Sequence, residues 1–418
     1  MSSVLSELVL IAAVCFNAAL SLIDAHVAAL ARVHVILAEI MVYAGALAII
    51  IFRADRNMWP WFLLTLFIIL MGLLVSLGSS ELNAKYIRDV LVIPVFILLG
   101  MTYQSATFIR PFFILQTIIF LVAVLEVVSP DAFADLFKVL DYYVNTRDFS
   151  ANSFWNADSN LFLSATRPGE RFFSFVSWHR LSSIFLEPVS LGNYCVVAAI
   201  LIIVCWQDMT IAARCYFVAS TLFLLVGSDG RLATTSIMIV LVSTPFLQNI
   251  SSRWSALYLP IIMLLAAGYV WAFYTGEGYD DFSGRVAGTI NALSQIDVVG
   301  LLGLNAIAAE KNADSGIVYF ILSQSLVGVV VIWLCVCLLP GGRPPALRIY
   351  IHAISIFIPL NLLVSYSFFS IKVASLIWFF YGYIYKKHLA DGTQYSDNRE
   401  HVAPASTDAL VAVTRLPR

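Results

Sequence analysis

The feature that most constrains this chain is a succession of apolar runs, each long enough for a ~30 Å hydrocarbon core and each closed by polar residues. The runs lie near residues 4–22, 32–52, 58–78, 89–103, 111–129, 188–206, 211–228, 232–250, 255–274, 316–339, 349–367 and 370–386. Within lipid, backbone polar groups must be satisfied internally, which leaves helices or a closed barrel. The period-two alternation of a barrel is missing. The expected fold is therefore all-α: a polytopic integral membrane protein of about twelve transmembrane helices. One transmembrane domain is expected over residues 1–387, with a cytoplasmic, disordered polar tail over 388–418. Composition points the same way, with 61% hydrophobic and 12% charged residues, against about 25% charged in globular proteins. The runs flanking Gly-Ser-Asp-Gly-Arg (227–231) are short and read equally as half-helices, which leaves a count of eleven or thirteen open.

A formal net charge of -2 and the absence of a basic stripe argue against nucleic acid. All six cysteines fall inside apolar runs, so neither disulfides nor a zinc site is expected, and no metal or cofactor is implied. The first run follows Met-Ser-Ser without a basic n-region or a small-residue cleavage pattern, and is expected to remain as the first span.

With both termini in the cytoplasm, short inner loops carry Arg53, Arg56, Arg110, Arg214, Arg253, Arg343 and Arg348, and the last span ends at Lys386 and Lys387. About half of the 24 Lys and Arg then lie outside. Many of these sit in two long loops, about 130–187 and 275–315, on the side opposite the termini. The first loop opens with residues 131–144, where Phe133, Leu136, Phe137, Leu140 and Tyr143 share a helical face; this predicts an amphipathic helix on the membrane surface. Further along stand Phe149, Phe154, Trp155, Phe162, Phe172, Phe173, Phe175 and Trp178. Aromatic faces suit the C–H faces of sugars, and equally form interfacial belts.

Charges at the membrane default to a functional hypothesis because they are costly. Arg88, Arg180, Arg231 and Arg285 are the main candidates, with Arg167 and Arg171 nearby in the first loop. Arginine matches phosphate bidentately and stays charged, so several converging at the outer boundary suit a diphosphate whose lipid lies in the bilayer. Pairing with a local carboxylate or a headgroup would explain each one equally. Between Arg180 and Tyr194 the loop leads straight into a span, with Pro188 in the first helical turn and Glu187 just before it. Glu187 could orient an arginine, act as a base, or simply start a helix. In the second loop, Asp314 and Ser315 stand where a helix would be capped. Asp314 is also the best-placed carboxylate for deprotonating a hydroxyl delivered from outside.

These residues resemble a family, the bacterial Wzy-type polysaccharide polymerases that make O-antigen and exopolysaccharide and are related to O-antigen ligases. The resemblance rests on Arg180 to Asn193 with its Ser-Ile-Phe-Leu-Glu-Pro, on Gly-Ser-Asp-Gly-Arg-Leu (227–232), and on Gly284-Arg285 with Asp314-Ser-Gly316. It implies a GT-C-like, metal-independent glycosyltransferase of the bacterial inner membrane. Donor and acceptor would be undecaprenyl-diphosphate-linked oligosaccharides polymerised at the periplasmic face. Arg180 and Arg285 match the arginines of the two periplasmic loops and Arg231 that of the central break, and their implied role is to hold the leaving diphosphate. Catalytic candidates are thus Asp314, Arg180 and Arg285; substrate-binding candidates are Arg88, Arg231, Glu187, Arg171 and Trp178. A flippase and a chain-length regulator are implied partners, beside membrane lipids. The chain departs from the ligases in lacking a histidine in the second loop, and eleven residues separate Arg180 from Gly192 where some polymerases have ten.

Other readings stay open: a ligase transferring glycan to lipid A core, a twelve-span transporter, a lipid-linked oligosaccharide flippase, or a scaffold. Phe52 to Asn57 echoes part of a major-facilitator loop motif, without its flanking glycines. Glu39, with Glu7, is the main ionisable exception inside the runs.

Overall fold

The computed structural model describes residues 2–79, 84–147, 149, 160–161, 165–166, 171–276, 282–305, 309, 314–341 and 344–400, with 391–400 as backbone alone. From the N-terminus run α1 (Ser2–His26), α2 (Arg32–Ile51), α3 (Trp59–Ser79), α4 (Ala84–Met101) and α5 (Ile109–Val128). Two short helices follow, α6 (Pro130–Phe137) and α7 (Val139–Arg147). After the first long loop come α8 (Pro188–Val204), α9 (Ile211–Ser228), α10 (Arg231–Leu247) and α11 (Tyr258–Phe273). The second loop holds α12 (Phe282–Ser294) and α13 (Val298–Leu301), and the chain closes with α14 (Gly316–Leu338), α15 (Pro345–Leu362) and α16 (Ile371–Glu400). No strand occurs among the described residues.

Among the described residues, eight helices are long and apolar enough to cross a membrane: α1, α2, α3, α5, α9, α11, α14 and α15. The chain is thus a polytopic, all-helical membrane protein. Four further helices occupy expected spans with weaker credentials. Both α8 and α10 are 17 residues long. Lys85, Arg88 and Asp89 lie in the opening turns of α4, and the apolar stretch of α16 is bounded by Lys372 and by Lys386 and Lys387.

Lipid tails are as apolar as leucine, so helices in a bilayer associate through close packing and hydrogen bonds rather than through burial from water. The pairing of α4 with α16 shows this. A Cβ on Gly100 would collide with the Phe379 carbonyl oxygen, and one on Gly382 with that of Ile97, so the two glycines let the backbones touch. Val373 to Tyr385 is almost wholly buried, with α1, α4, α8 and α15 against α16. Helix α15 is also central, at 72% buried over its apolar window, whereas the span ending in α11 is peripheral at 6%.

One expectation is corrected. The predicted amphipathic helix over 131–144 breaks at Lys138, which takes a left-handed conformation (φ 39°) between α6 and α7. Its apolar face does not lie on the membrane surface: Phe133, Phe137, Leu140 and Tyr143 are buried, because α1, α2 and α5 offer a packed protein surface for those rings. The expected span over 316–339 is present as α14, with a kink at Ser325 (φ 63°), whose Oγ accepts a hydrogen bond from Gly328 N at 3.1 Å and restarts the helix. The α16 backbone runs on past Lys387 to Glu400. Residues 401–418 lie outside the described residues.

Candidate functional site

The site is built around the segment from Arg180 to Glu187, which links the first loop to α8. Its backbone is demanding, with two non-glycine residues in left-handed conformations, Ser183 (φ 49°) and Leu186 (φ 59°). Such positions persist only where the surroundings over-determine them. Two buried charges do so here. Glu126, fully buried at the end of α5, accepts from Ser182 N (3.0 Å), Ser182 Oγ (3.0 Å), Ser183 N (2.7 Å) and His179 Nε2 (3.1 Å). Lys372, 2% exposed in the first turn of α16, donates to the Phe185 carbonyl at 2.9 Å.

At the near end of the segment, Arg180 reaches the break between α9 and α10. Asp229 ends α9 in a left-handed conformation (φ 53°) that an aspartate tolerates better than most residues. Its Oδ1 accepts from Phe173 N at 3.0 Å, and its Oδ2 stands 4.0 Å from Nε of both Arg171 and Arg180. Arg180 also donates to the Ser228 carbonyl (3.2 Å) and the Asp229 carbonyl (3.4 Å), and Arg171 to Gly227 (3.3 Å). The two guanidinium groups thereby cap the unsatisfied carbonyls at the negative end of the α9 dipole. Arg171 Nε and Nη1 are buried with no hydrogen-bond acceptor among the described residues. Leu181 N donates to Gly227 O at 2.9 Å, and Gly192 of α8 faces Gly230, so the first two motifs pack directly on each other.

Arg231 opens α10 and is exposed. Its neighbour Leu232 packs into a small apolar cluster with Val286, the residue after Arg285 in α12, and with Leu363 and Val364. Thr289 donates to the Leu363 carbonyl at 2.7 Å. This brings α12 to the same end of the bundle as the start of α10. Asp314 is exposed two residues before α14, and the cap is Ser315, whose Oγ accepts from Val318 N. A Cβ on Gly316 would strike the Ser365 carbonyl oxygen, which seats the start of α14 against the turn after α15.

At the far end of the segment, Glu187 is fully engaged. It accepts from Tyr143 Oη (2.9 Å), Arg147 Nη1 (2.8 Å) and Ser190 Oγ (2.9 Å), and Lys372 Nζ lies 3.0 Å away. Burial pushes the carboxyl up, but Lys372 and Arg147 more than offset it and hold Glu187 at about 2. Arg88 sits in a third cluster, with Nη1 on Glu39, and with Nε and Nη2 on Asp89 at 2.9 and 2.6 Å. Asp89 accepts in turn from Tyr319 Oη at 2.7 Å. Tyr366 joins the clusters: burial raises its phenol, while Arg147, Glu187, Asp89 and Arg88 all act on it electrostatically. Lys85 lies 5.8 Å from the Tyr319 and Tyr366 ring centres.

The structure therefore groups Arg171 and Arg180 around Asp229, and brings the helices carrying Arg231 and Arg285 beside them. Arg88 and Glu187 each sit in their own ion-paired cluster at that end. Trp178 packs against Phe223 of α9, with ring centres 6.5 Å apart and its Nε1 buried. Arg167, Phe154, Trp155 and Phe162 lie outside the described residues. Sequence reasoning missed Glu126, Arg147, Asp229, Asp89 and Lys372. A signal existed for Glu126 and Lys372, since each is an ionisable residue set in an apolar run. None pointed to Asp229 as the common partner of two loop arginines. No three His, Cys, Asp or Glu side chains converge as metal ligands among the described residues. In comparisons with known proteins, no family model, no curated protein and no solved structure matches the chain.

Proposed function

We propose that the chain is a membrane glycosyltransferase that polymerises undecaprenyl-diphosphate-linked oligosaccharides at the outer face of a bacterial inner membrane. The observation that carries this reading is the convergence at one end of the bundle of Arg171 and Arg180 on Asp229, with two buried N–H groups of Arg171 lacking an acceptor among the described residues. Guanidinium groups held this way, beside helices bearing Arg231 and Arg285, suit a lipid-borne diphosphate. In the proposed topology all twelve apolar helices cross, α4, α8, α10 and α16 included, with both termini cytoplasmic and the arginine end periplasmic.

In the reaction, an acceptor sugar hydroxyl attacks the anomeric carbon of the donor glycan. A new glycosidic C–O bond forms, the bond from C1 to the diphosphate oxygen breaks, and the diphosphate leaves with the electron pair. Arg180 and Arg285 stabilise the departing charge, a kind of interaction worth about 10²–10³ in rate. Asp314, exposed above the turn after α15, takes the hydroxyl proton. Arg171, Arg231 and Arg88 bind and orient the diphosphate, Trp178 lies under the sugar chain, and Glu187 orders the arginine and lysine around it. A flippase supplies the substrate and a chain-length regulator acts on the product. Close packing of α15 and α16 through the centre of the bundle favours this reading over a transport conduit.

The test is polymer formation in cells whose chromosomal copy is replaced. Arg285→Ala should abolish polymer with insertion and expression unchanged, and Asp314→Asn should retain bound lipid diphosphate without turnover. Polymer of normal length and yield in both variants would overturn the assignment.

A further inference from the structure

A groove of about 840 Å³ lies between α8, α9, α10 and α15, at the end of the bundle opposite Arg180. Its volume falls within the range of ligand sites, about 300–1,000 Å³. The walls are apolar, with Ile202, Val218, Leu222, Leu225, Ile237 and Leu241. Polar groups gather at the mouth, at Trp206, Gln207, Asp208, Gln248 and Lys387, with Thr221 the one polar residue deeper in the wall, its Oγ1 accepting from Gln116 Nε2 at 3.3 Å. From Gln248 back to Ile237 the lining follows α10 for a distance of about 16 Å at 1.5 Å per residue. That is about half of a ~30 Å hydrocarbon core, the depth of one leaflet. A cavity one leaflet deep, lined by apolar side chains apart from Thr221 and polar at one end, has the form of an acyl chain with its headgroup at the interface.

Charge at the mouth selects among headgroups. Lys387 Nζ stands 4.0 Å from Asp208 Oδ2, so these two lining charges offset each other. Two more cations brace the lining. The Arg214 guanidinium lies over the Trp206 ring at 4.8 Å and donates to the Trp206 carbonyl at 3.0 Å. Arg348 Nη1 donates to the Gln248 carbonyl at 2.7 Å. Among the described residues the mouth therefore gathers three cations, Lys387, Arg214 and Arg348, against the one carboxylate of Asp208, beside a tryptophan of the kind enriched at membrane interfaces.

We infer that this groove binds one anionic glycerophospholipid, its acyl chain between α9 and α10 and its phosphate at Lys387 and Arg348. The site is separate from the arginine end and stands whether or not the chain is a glycosyltransferase. The probes are dioleoyl phosphatidylglycerol and dioleoyl phosphatidylcholine, added to the delipidated full-length protein in mild detergent and followed by native mass spectrometry. One phosphatidylglycerol should be retained per chain, at least about tenfold more strongly than phosphatidylcholine. Lys387→Gln with Arg348→Gln should weaken that retention about 30-fold, since each basic residue near the surface contributes a factor of about five. Leu222→Trp, which fills the groove without touching the charges, should block retention of both lipids. Equal retention of the two lipids would overturn the inference, as would unchanged retention in the charge variant. Preferential capture of a polyprenyl phosphate over phosphatidylglycerol would overturn it too. Should Leu222→Trp elute as aggregate, the charge variant, altered only at interfacial side chains, decides the matter alone.

Discussion

Replacing Lys372 by Met tests how the charged end of the bundle is held. The ammonium is 2% exposed and joins the start of α16 to Phe185 O at 2.9 Å and to the Glu187 carboxylate at 3.0 Å. Removing one member of a buried ion pair costs about 3–5 kcal/mol, because the partner stays buried and uncompensated. Glu187 keeps Arg147, Tyr143 and Ser190, so the loss belongs at the lower end, about 3 kcal/mol. Glu187→Gln leaves both Lys372 and Arg147 short of their common anion, and should cost about the same. In the double variant the two penalties overlap. The total should then be about 4 kcal/mol rather than 6, a coupling of about 2 kcal/mol. The assay is reversible unfolding in mixed micelles of rising dodecyl sulfate content, followed by the fluorescence of the nine tryptophans. Strict additivity, within about 0.5 kcal/mol, would refute the idea that Lys372 and Glu187 act as a unit.

Acid should act on the same carboxylate. Its pKa is lower in the fold (about 2) than its ordinary 4.5, so its contribution is complete above pH 4.5 and is lost as the pH falls toward 2. That loss amounts to about 3 kcal/mol; Glu187→Gln should flatten this limb of the stability profile, and an unchanged limb would place the acid sensitivity elsewhere. Asp229→Asn keeps a residue that tolerates the left-handed conformation while removing the anion shared by Arg171 and Arg180. Polymer synthesis should fall about tenfold or more with folding preserved, and rescue by Asp229→Glu to wild-type rate would argue against the close geometry. Gly382→Val should prevent folding, because its Cβ meets the Ile97 carbonyl across α4 and α16, whereas Gly268→Ala in α11, with open space around it, should be neutral or up to about 1 kcal/mol stabilising. Thermal stability in detergent distinguishes the two, and similar behaviour would contradict the packing described.

Much of this fold was legible in the apolar runs, because the length of a span is set by the bilayer and not by neighbouring helices. Helices α1, α2, α3, α5, α9, α11, α14 and α15 fall on runs read from sequence. Period alone said which ring positions in 131–144 share a face, but not what that face would meet. Protein met it, so Tyr143 points into the Glu187 cluster and the helix turns at Lys138. The arginines were legible as candidates because each stands out against an apolar background. Their partners were not. Arg180 and Asp229 are 49 residues apart, and Lys372 and Phe185 are 187 apart. No local pattern links such positions; only the packing of α5, α8, α9 and α16 does. Glu187 shows the same limit, since a carboxylate before a helix-starting proline reads alike as base, orienting group or helix start, and only its four partners show how it is held.

The activity proposed for the arginine end of the bundle is the joining of lipid-diphosphate-linked glycans. The most direct measurement is incubation of the purified full-length protein with a defined undecaprenyl-diphosphate oligosaccharide, resolved on a gel, alongside Arg180→Ala. A ladder of products spaced by one repeat unit is expected with the unaltered protein and none with the variant. Unchanged substrate with the folded, unaltered protein, or an equal ladder from Arg180→Ala, would contradict it.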